Sequence, residues 1–344
     1  MTQFTKSLNL IDPYLASDGK KYAKIPRQPQ TNPVITNANY TVNDKSDTKL
    51  IISNLEKYGV VIVKNFLSSN TCDQIIDEVE PFFFRDQLWN GSPFPRQTTV
   101  VTRTVLKSPT VTQDVVCNPL FLSIASNFLD ESNYFWINNK IRTGKSTIQL
   151  NSGITYKVGP GASDQMYHRE DMVHHNVHKD RDHFVYGDES MVGLTVAMTK
   201  TTKENGATRV IPLSHLYGPY RHPEEKNCNY IELDKGDAAF ILGSTYHAAS
   251  ANNTDKDRIS SFFFMTKSYL KQEENYFVDQ NADFFKNYSV EALSLLGLNL
   301  SEPFCGHLDY GNPLSSLKSE EEINNSSLKL KKDNYGETIY VEYN

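Results

Sequence analysis

Residues 165–171 read Gln165-Met166-Tyr167-His168-Arg169-Glu170-Asp171. In an extended strand alternate side chains share a face, so His168 and Glu170 project together while Arg169 points away. One imidazole beside one carboxylate makes two-thirds of a facial triad, and two histidines with one carboxylate suit a non-haem iron(II) that keeps coordination positions open. Asp171 is a rival to Glu170, but its i, i+3 spacing from His168 turns it to the opposite face of a strand. The third ligand must come from elsewhere. In Gly236-Asp237-Ala238-Ala239-Phe240-Ile241-Leu242-Gly243-Ser244-Thr245-Tyr246-His247, a Gly-Asp turn feeds an apolar strand that runs up to a histidine. Eleven positions later Arg258 opens Arg258-Ile259-Ser260-Ser261-Phe262, where Arg258 and Ser260 share a face. A guanidinium offers a planar fork to a carboxylate, and the end of a dicarboxylate cosubstrate is its natural partner.

The sequence around these residues is strand-like. Segments 134–141, 146–158, 192–199, 207–212, 238–242 and 258–266 are rich in Val, Ile, Thr, Phe and Tyr, with Gly, Asn, Asp and Pro between them. Helices come earlier: one over 47–58 ended by Gly59, one from a Ser68-Ser69-Asn70 cap to Phe82, and one over 119–129. Residues 60–66 read as a buried strand, and 268–298 as helical again. Helices first and strands later imply a mainly β fold, a sandwich or barrel with flanking helices. The expected organisation is an N-terminal arm over 1–45, interrupted by Pro26, Pro29 and Pro33, then one domain over 46–300 with its β core at about 134–270. A polar tail over 301–344 follows, where Lys329, Lys331 and Lys332 come after an acidic stretch.

Composition bounds the function. With 344 residues, 38% of them hydrophobic, the chain can bury a substantial core. No stretch approaches the roughly 20 apolar residues of a membrane span. The polar start from Met1 to Asp18 lacks an apolar signal core, so a cytoplasmic protein without a membrane partner is expected. Cys72, Cys117, Cys228 and Cys305 are scattered with no CxxC pair, which argues against a zinc ribbon or disulfide scaffold and for free thiols. A net charge of −6 with no basic run ahead of the tail argues against nucleic acid. The partners that remain are a small-molecule substrate and a second copy of the chain, in a homodimer.

Three stretches carry a resemblance. They are Gln165 through His175 (Gln-Met-Tyr-His-Arg-Glu-Asp-Met-Val-His-His), Asn205-Gly206-Ala207-Thr208 followed by Pro212-Leu213-Ser214-His215, and Tyr58-Gly59-Val60-Val61-Ile62-Val63-Lys64-Asn65-Phe66-Leu67. Together they resemble the phytanoyl-CoA dioxygenase family, and within it the fungal natural-product branch, over about residues 47–270. The resemblance implies a double-stranded β-helix (a cupin-like jelly roll) with iron(II) at one mouth, held by His168, Glu170 and His247. It implies that Gln165 and Thr208 help hold 2-oxoglutarate, with Arg258 on the far carboxylate and Ser260 beside it. Together with O2, these would oxidise a small natural-product or amino-acid-like substrate by hydroxylation, desaturation, epoxidation or ring closure, releasing succinate and CO2. The family's usual Asp at the second ligand position is Glu170 here.

Two alternatives share parts of this pattern: a Jumonji-like protein-modifying oxygenase, and a cupin-like metal-binding protein without turnover. The helix-strand opening and the Asn-Gly-Ala-Thr stretch argue against the first, Arg258 and Gln165 against the second. Residues 171–188 are expected to form a flap over the mouth. Its histidines, with Lys179 and Arg181, would be available to substrate carboxylates. His215 reads as structural, and the run Phe262-Phe263-Phe264 as sheet packing.

Overall fold

A computed structural model describes residues 13–25, 32–84, 95–328 and 338–341. Pro26 and Pro29 of the expected arm, and the tail lysines Lys329, Lys331 and Lys332, lie outside the described residues. Strands β1 (Tyr14–Leu15) and β2 (Lys21–Tyr22) make a short hairpin, and β3 (Thr41–Val42) runs parallel to β4 (Val60–Val63). Between the latter two lies helix α1 (Thr48–Tyr58). Asp47 caps it by accepting from the Leu50 N–H at 3.0 Å, and Gly59 ends it in the left-handed region at φ 74°. Helix α2 (Ser69–Val79) starts where Ser68 accepts from the Thr71 N–H at 3.0 Å, and a 3₁₀ turn carries it on to Phe82. Helix α3 covers Pro119–Leu129, as its apolar spacing predicts. Their apolar faces, through Ile51, Leu55, Ile75 and Ile124, join one core with Phe240 and Phe263 of the sheet.

After β5 (Thr98–Val101), β6 (Glu131–Ile137) and β7 (Lys140–Ser146) comes the body of the fold. Its strands are β8 (Ile148–Val158), β9 (Met191–Ala197), β10 (Thr208–Val210), β11 (Asn229–Ile231), β12 (Ala238–Leu242), β13 (His247–Ala249) and β14 (Arg258–Lys267). The large sheet has the order β3-β4-β12-β9-β14-β8-β5, and the small one the order β11-β10-β13. An antiparallel bridge between His168 and His247 adds one more segment beside β13. Followed in sequence, β8, the His168 segment, and β9 to β14 make two windings. Large-sheet neighbours are β12-β9-β14-β8, and small-sheet neighbours are β11-β10-β13 and then His168. That is a double-stranded β-helix with helices on its outer face, the jelly roll expected from the sequence.

Some expectations change. Residues 134–141 are not one core strand: the chain reverses at Asn138 (φ 54°), so that β6 and β7 pair as a hairpin. Over 268–298 the helical pieces are only α4 (Ala282–Phe285), α5 (Val290–Leu293) and a turn through Leu298. Asn281 caps the first of these, and Gly297 breaks the last at φ 90°. The C-terminal stretch is less purely polar than its charge suggests. Leu314, and Ile323 on α6 (Glu320–Asn325), are buried in the core, and β15 (Thr338–Tyr340) joins β7 and β6 in a separate sheet. All four cysteines are free thiols. Among the described residues no helix is long and apolar enough to cross a membrane.

Candidate active site

The bridge fixes the first two histidines. The His168 N–H donates to the His247 carbonyl, and the His247 N–H to the His168 carbonyl, both at 3.0 Å. The strand geometry expected for His168 and Glu170 does not continue beyond this bridge. Glu170 instead opens a 3₁₀ turn, Glu170–His174. Even so, its Oε2 lies 3.2 Å from His247 Nε2 and 3.5 Å from His168 Nε2. One ligand atom from each of the three residues falls within 4.8 Å of the others. Asp171 faces elsewhere: fully buried, it accepts from Asn176 Nδ2 at 3.1 Å and pairs with His178 Nε2 at 3.2 Å.

The tautomers favour a cation in this cluster. His168 Nδ1 lies 3.0 Å from the Met166 carbonyl, and His247 Nδ1 3.0 Å from the Thr245 carbonyl. A carbonyl can only accept, so each Nδ1 carries the hydrogen and each neutral Nε2 presents a lone pair. Two lone pairs and a carboxylate oxygen then converge with no proton between them, and a divalent metal is the charge that this donor set fits. Glu170 and His168 also stabilise each other's charged forms. Burial pulls the His168 imidazolium down, but Glu170 outweighs it and raises the pKa; burial would raise Glu170, but the two imidazoles hold it at about 2.

Arg258 opens β14 and is 2% exposed. Its Nη2 donates to the Gly206 carbonyl at 2.7 Å, while Nε is buried without a partner. Burial alone lowers the guanidinium to about 10. A buried cation with donors to spare is a receptor for a carboxylate. The Asn205-Gly206 turn therefore does more than reverse the chain. Gly206 stands at φ 100°, where a Cβ would meet the Ser250 carbonyl at 2.9 Å, so glycine is what lets this carbonyl face Arg258. Ser260, Phe262 and Phe264 follow Arg258 on the same face. A cavity is lined by Glu170, His247, Gly193, Thr195, Phe262 and Phe264. The phenylalanine run thus divides: Phe263 is core, whereas its two neighbours wall the cavity. Gly193 admits Phe264, whose ring would lie 2.7 Å from any Cβ there.

The other expected cosubstrate residues lie on the small sheet or beside it. Thr208 is buried on β10, opposite Ala249. Gln165 accepts from the Ala249 N–H through Oε1 at 3.1 Å, and its carbonyl takes Arg209 Nη2 at 2.8 Å, so it braces the strand that carries His247. In the expected flap, Arg181 pairs with Asp188 at 2.8 Å, His178 with Asp171, and His174 lies 3.3 Å from Ser190 Oγ and 3.2 Å from the Lys271 carbonyl. Arg181, His178 and His174 thus have partners within the protein. His215, read as structural, is buried and bonds the Glu56 carbonyl at 3.0 Å. Two residues near the cluster went unread in the sequence. Tyr156, paired with Ser260 across the ladder, packs edge-on against Phe262 at 5.4 Å; burial raises its phenol, and the Glu170 charge adds to that. Glu273 acts on the same cluster electrostatically. Neither belongs to a short motif, because strand register and a loop bring them in.

The profile of the phytanoyl-CoA dioxygenase (PhyH) family matches residues 55–260. The chain belongs to the phytanoyl-CoA dioxygenase family. It is accordingly a non-haem dioxygenase that uses iron and 2-oxoglutarate. It is 49% identical to the uncharacterized protein YJR154W of Saccharomyces cerevisiae over 348 residues, 98% of each chain. It is 35% identical to the dioxygenase peniF of Penicillium patulum over 271 residues, 78% of this chain and 87% of the other. Among solved structures, the non-haem α-ketoglutarate-dependent epimerase SnoN of nogalamycin biosynthesis aligns with a TM-score of 0.48 and 16% identity, over 69% of this chain and 90% of that one.

Proposed function

We propose that His168, Glu170 and His247 hold the iron(II) of this dioxygenase, that Arg258 receives the far carboxylate of 2-oxoglutarate, and that the substrate is a small natural-product-like molecule. The observation that carries the metal assignment is the convergence of two lone-pair-bearing Nε2 atoms on the Glu170 carboxylate. Bound iron(II), with 2-oxoglutarate and O2, supplies the oxidising power that removes a hydrogen atom from a substrate carbon and yields succinate and CO2. The residues of the chain provide position. The Met166 and Thr245 carbonyls hold the two imidazoles in one tautomer and one orientation. Arg258 would give the cosubstrate a single polarity, with the Ser260 and Thr208 hydroxyls as further contacts of the proposal and Gln165 as the brace of β13. Phe262 and Phe264 keep the cavity wall apolar and so exclude water. Similarity to fungal dioxygenases supports the small-molecule reading. The free thiols fit a reducing compartment, and we place the protein in the cytosol on that ground.

The test is iron-dependent succinate release from 2-oxoglutarate, with metal content measured alongside. The wild-type chain should bind about one iron per chain at this three-ligand site. His247→Ala should lose both the metal and the succinate. A His247→Ala chain that keeps full metal content would sink the assignment.

A further inference from the structure

Glu273 lies just beyond β14, and its carboxylate is held in place. Its N–H donates to Asn151 Oδ1 at 2.9 Å, and Asn151 Nδ2 and Ser152 Oγ each donate to its Oε2 at 3.2 Å. Asn151 and Ser152 are buried on β8, 0% and 1% exposed, so these donors are rigid. Glu273 itself keeps access to solvent. Among the described residues no lysine or arginine pairs with it. It feels the candidate metal centre: burial raises its carboxyl, the Glu170 charge raises it further, and His168 opposes them.

Charged and aromatic groups stand near this acid: the Glu170 charge acts on it, and Glu274 feels its charge in turn. Tyr156 follows Ser152 on the same face of β8 and feels the charges of both Glu170 and Glu273. Its ring meets Phe262, which lines the cavity with Glu170 and His247. On the other flank, the contact of His174 with the Lys271 carbonyl brings the Glu170–His174 turn beside residues 271–273. That turn exposes Met172 (59%) and Val173 (37%). A fixed carboxylate lacking a cation, aromatic rings and exposed apolar side chains together make a receptor for an apolar body that carries a positive charge. In the flap, Arg181 and His178 are already paired.

We propose that the substrate carries a protonated amine, which pairs with Glu273 while the apolar part of the molecule lies against Tyr156, Phe262 and Met172. This rests on the metal site assigned above and names the substrate class of that same site. Glu273 is a specificity residue and takes no part in the oxidation.

The test uses the full chain loaded with redox-inert Mn(II) and 2-oxoglutarate. Hexylamine, phenethylamine and tryptamine are compared with their N-acetyl derivatives and with the matching carboxylic acids, by thermal shift and calorimetric titration. The amines should bind and stabilise the wild type more than their acetylated forms do. In Glu273→Gln their affinity should fall by about tenfold or more, the scale of a lost charge-assisted hydrogen bond. Equal binding of amide and amine, unchanged amine affinity in Glu273→Gln, or stabilisation by none of the amines overturns the proposal. The amine-to-amide comparison is made on the wild type, so it holds even if the variant misfolds. Iron content of the wild type and its loss in His247→Ala report on the metal site separately. A wild type that binds no iron sinks the metal-site reading, whereas iron binding without amine preference sinks only the amine proposal.

Discussion

Arg258 is a buried guanidinium that donates to the Gly206 carbonyl and has its Nε unpartnered, and it is the residue proposed to hold the far carboxylate of 2-oxoglutarate. Arg258→Ala should weaken transition-state binding through 2-oxoglutarate by about 2–4 kcal/mol, the scale of a bidentate charge-assisted pair. Arg258→Lys should recover part of this, since it restores the charge without the planar fork. The measurement is the apparent Michaelis constant for 2-oxoglutarate in succinate release; a value unchanged in Arg258→Ala would show that another cation does the work. At this scale the sequence was informative where chemistry is concentrated in one side chain. His168, Glu170, His247 and Arg258 could be picked out from spacing and from the family's motifs. The partner of Arg258 could not, because Gly206 lies 52 residues away in sequence and its carbonyl looks like any other until the fold brings it in. Glu273 was hidden for the same reason: its anchors, Asn151 and Ser152, lie more than a hundred residues earlier, on β8.

Elements set the distances between those residues, and the Gly236-Asp237 turn at the start of β12 shows how. Gly236 has φ 89°, and a Cβ there would stand 2.4 Å from the Leu67 carbonyl. Asp237 accepts from the Asn65 and Asp234 N–H groups and pairs with Lys64, so the turn locks β12 against β4. Gly236→Ala should therefore cost more than backbone strain alone, about 2–3 kcal/mol or more. Gly19→Ala is the control. It has nearly the same φ, 79°, with nothing within 4 Å, and should cost only about 1 kcal/mol. Chemical denaturation reads both, and equal losses would mean that the Leu67 contact is irrelevant. Element type was legible wherever a period ran long enough: α1, α3, β8, β12 and β14 all fall close to their expected bounds. It failed where a local signal outweighed the period. Asn138-Asn139 splits what reads as one strand. At Glu170 the extended pattern gives way after a single bridge to a 3₁₀ turn, which still returns the carboxylate to the two imidazoles by a different route.

Over the whole molecule, buried titratable groups shape the dependence of stability on pH. Glu189 is 3% exposed, accepts from Ser244 and faces the Asp171 charge, with Arg169 opposing. Burial first, and Asp171 second, raise its carboxyl from 4.5 to about 8. A raised carboxyl pKa means that the folded state holds the proton more tightly than the unfolded one. Its stabilising contribution is complete below pH 4.5 and is lost as pH climbs through about 8. His215 acts with the opposite sense. Burial depresses it from 6.5 to about 4, so its contribution is present above 6.5 and lost as pH falls through 4. Glu189→Gln keeps the shape without the charge and should flatten the fall in melting temperature on the alkaline side while leaving the acid side alone. Parallel melting curves for variant and wild type across that range would rule out Glu189 as the source.

The paired peptide groups of His168 and His247 have a consequence for how the site fills. Because two backbone hydrogen bonds hold these residues together, the spacing of their rings is set by the small sheet before any ion arrives. The entropy of assembling the ligands is therefore charged to folding and not to loading. Loading then resembles the closing of a preset socket, with a small heat-capacity change and no slow refolding phase. On the proposed assignment, iron would leave and return during the life of one molecule without the jelly roll having to be remade around it.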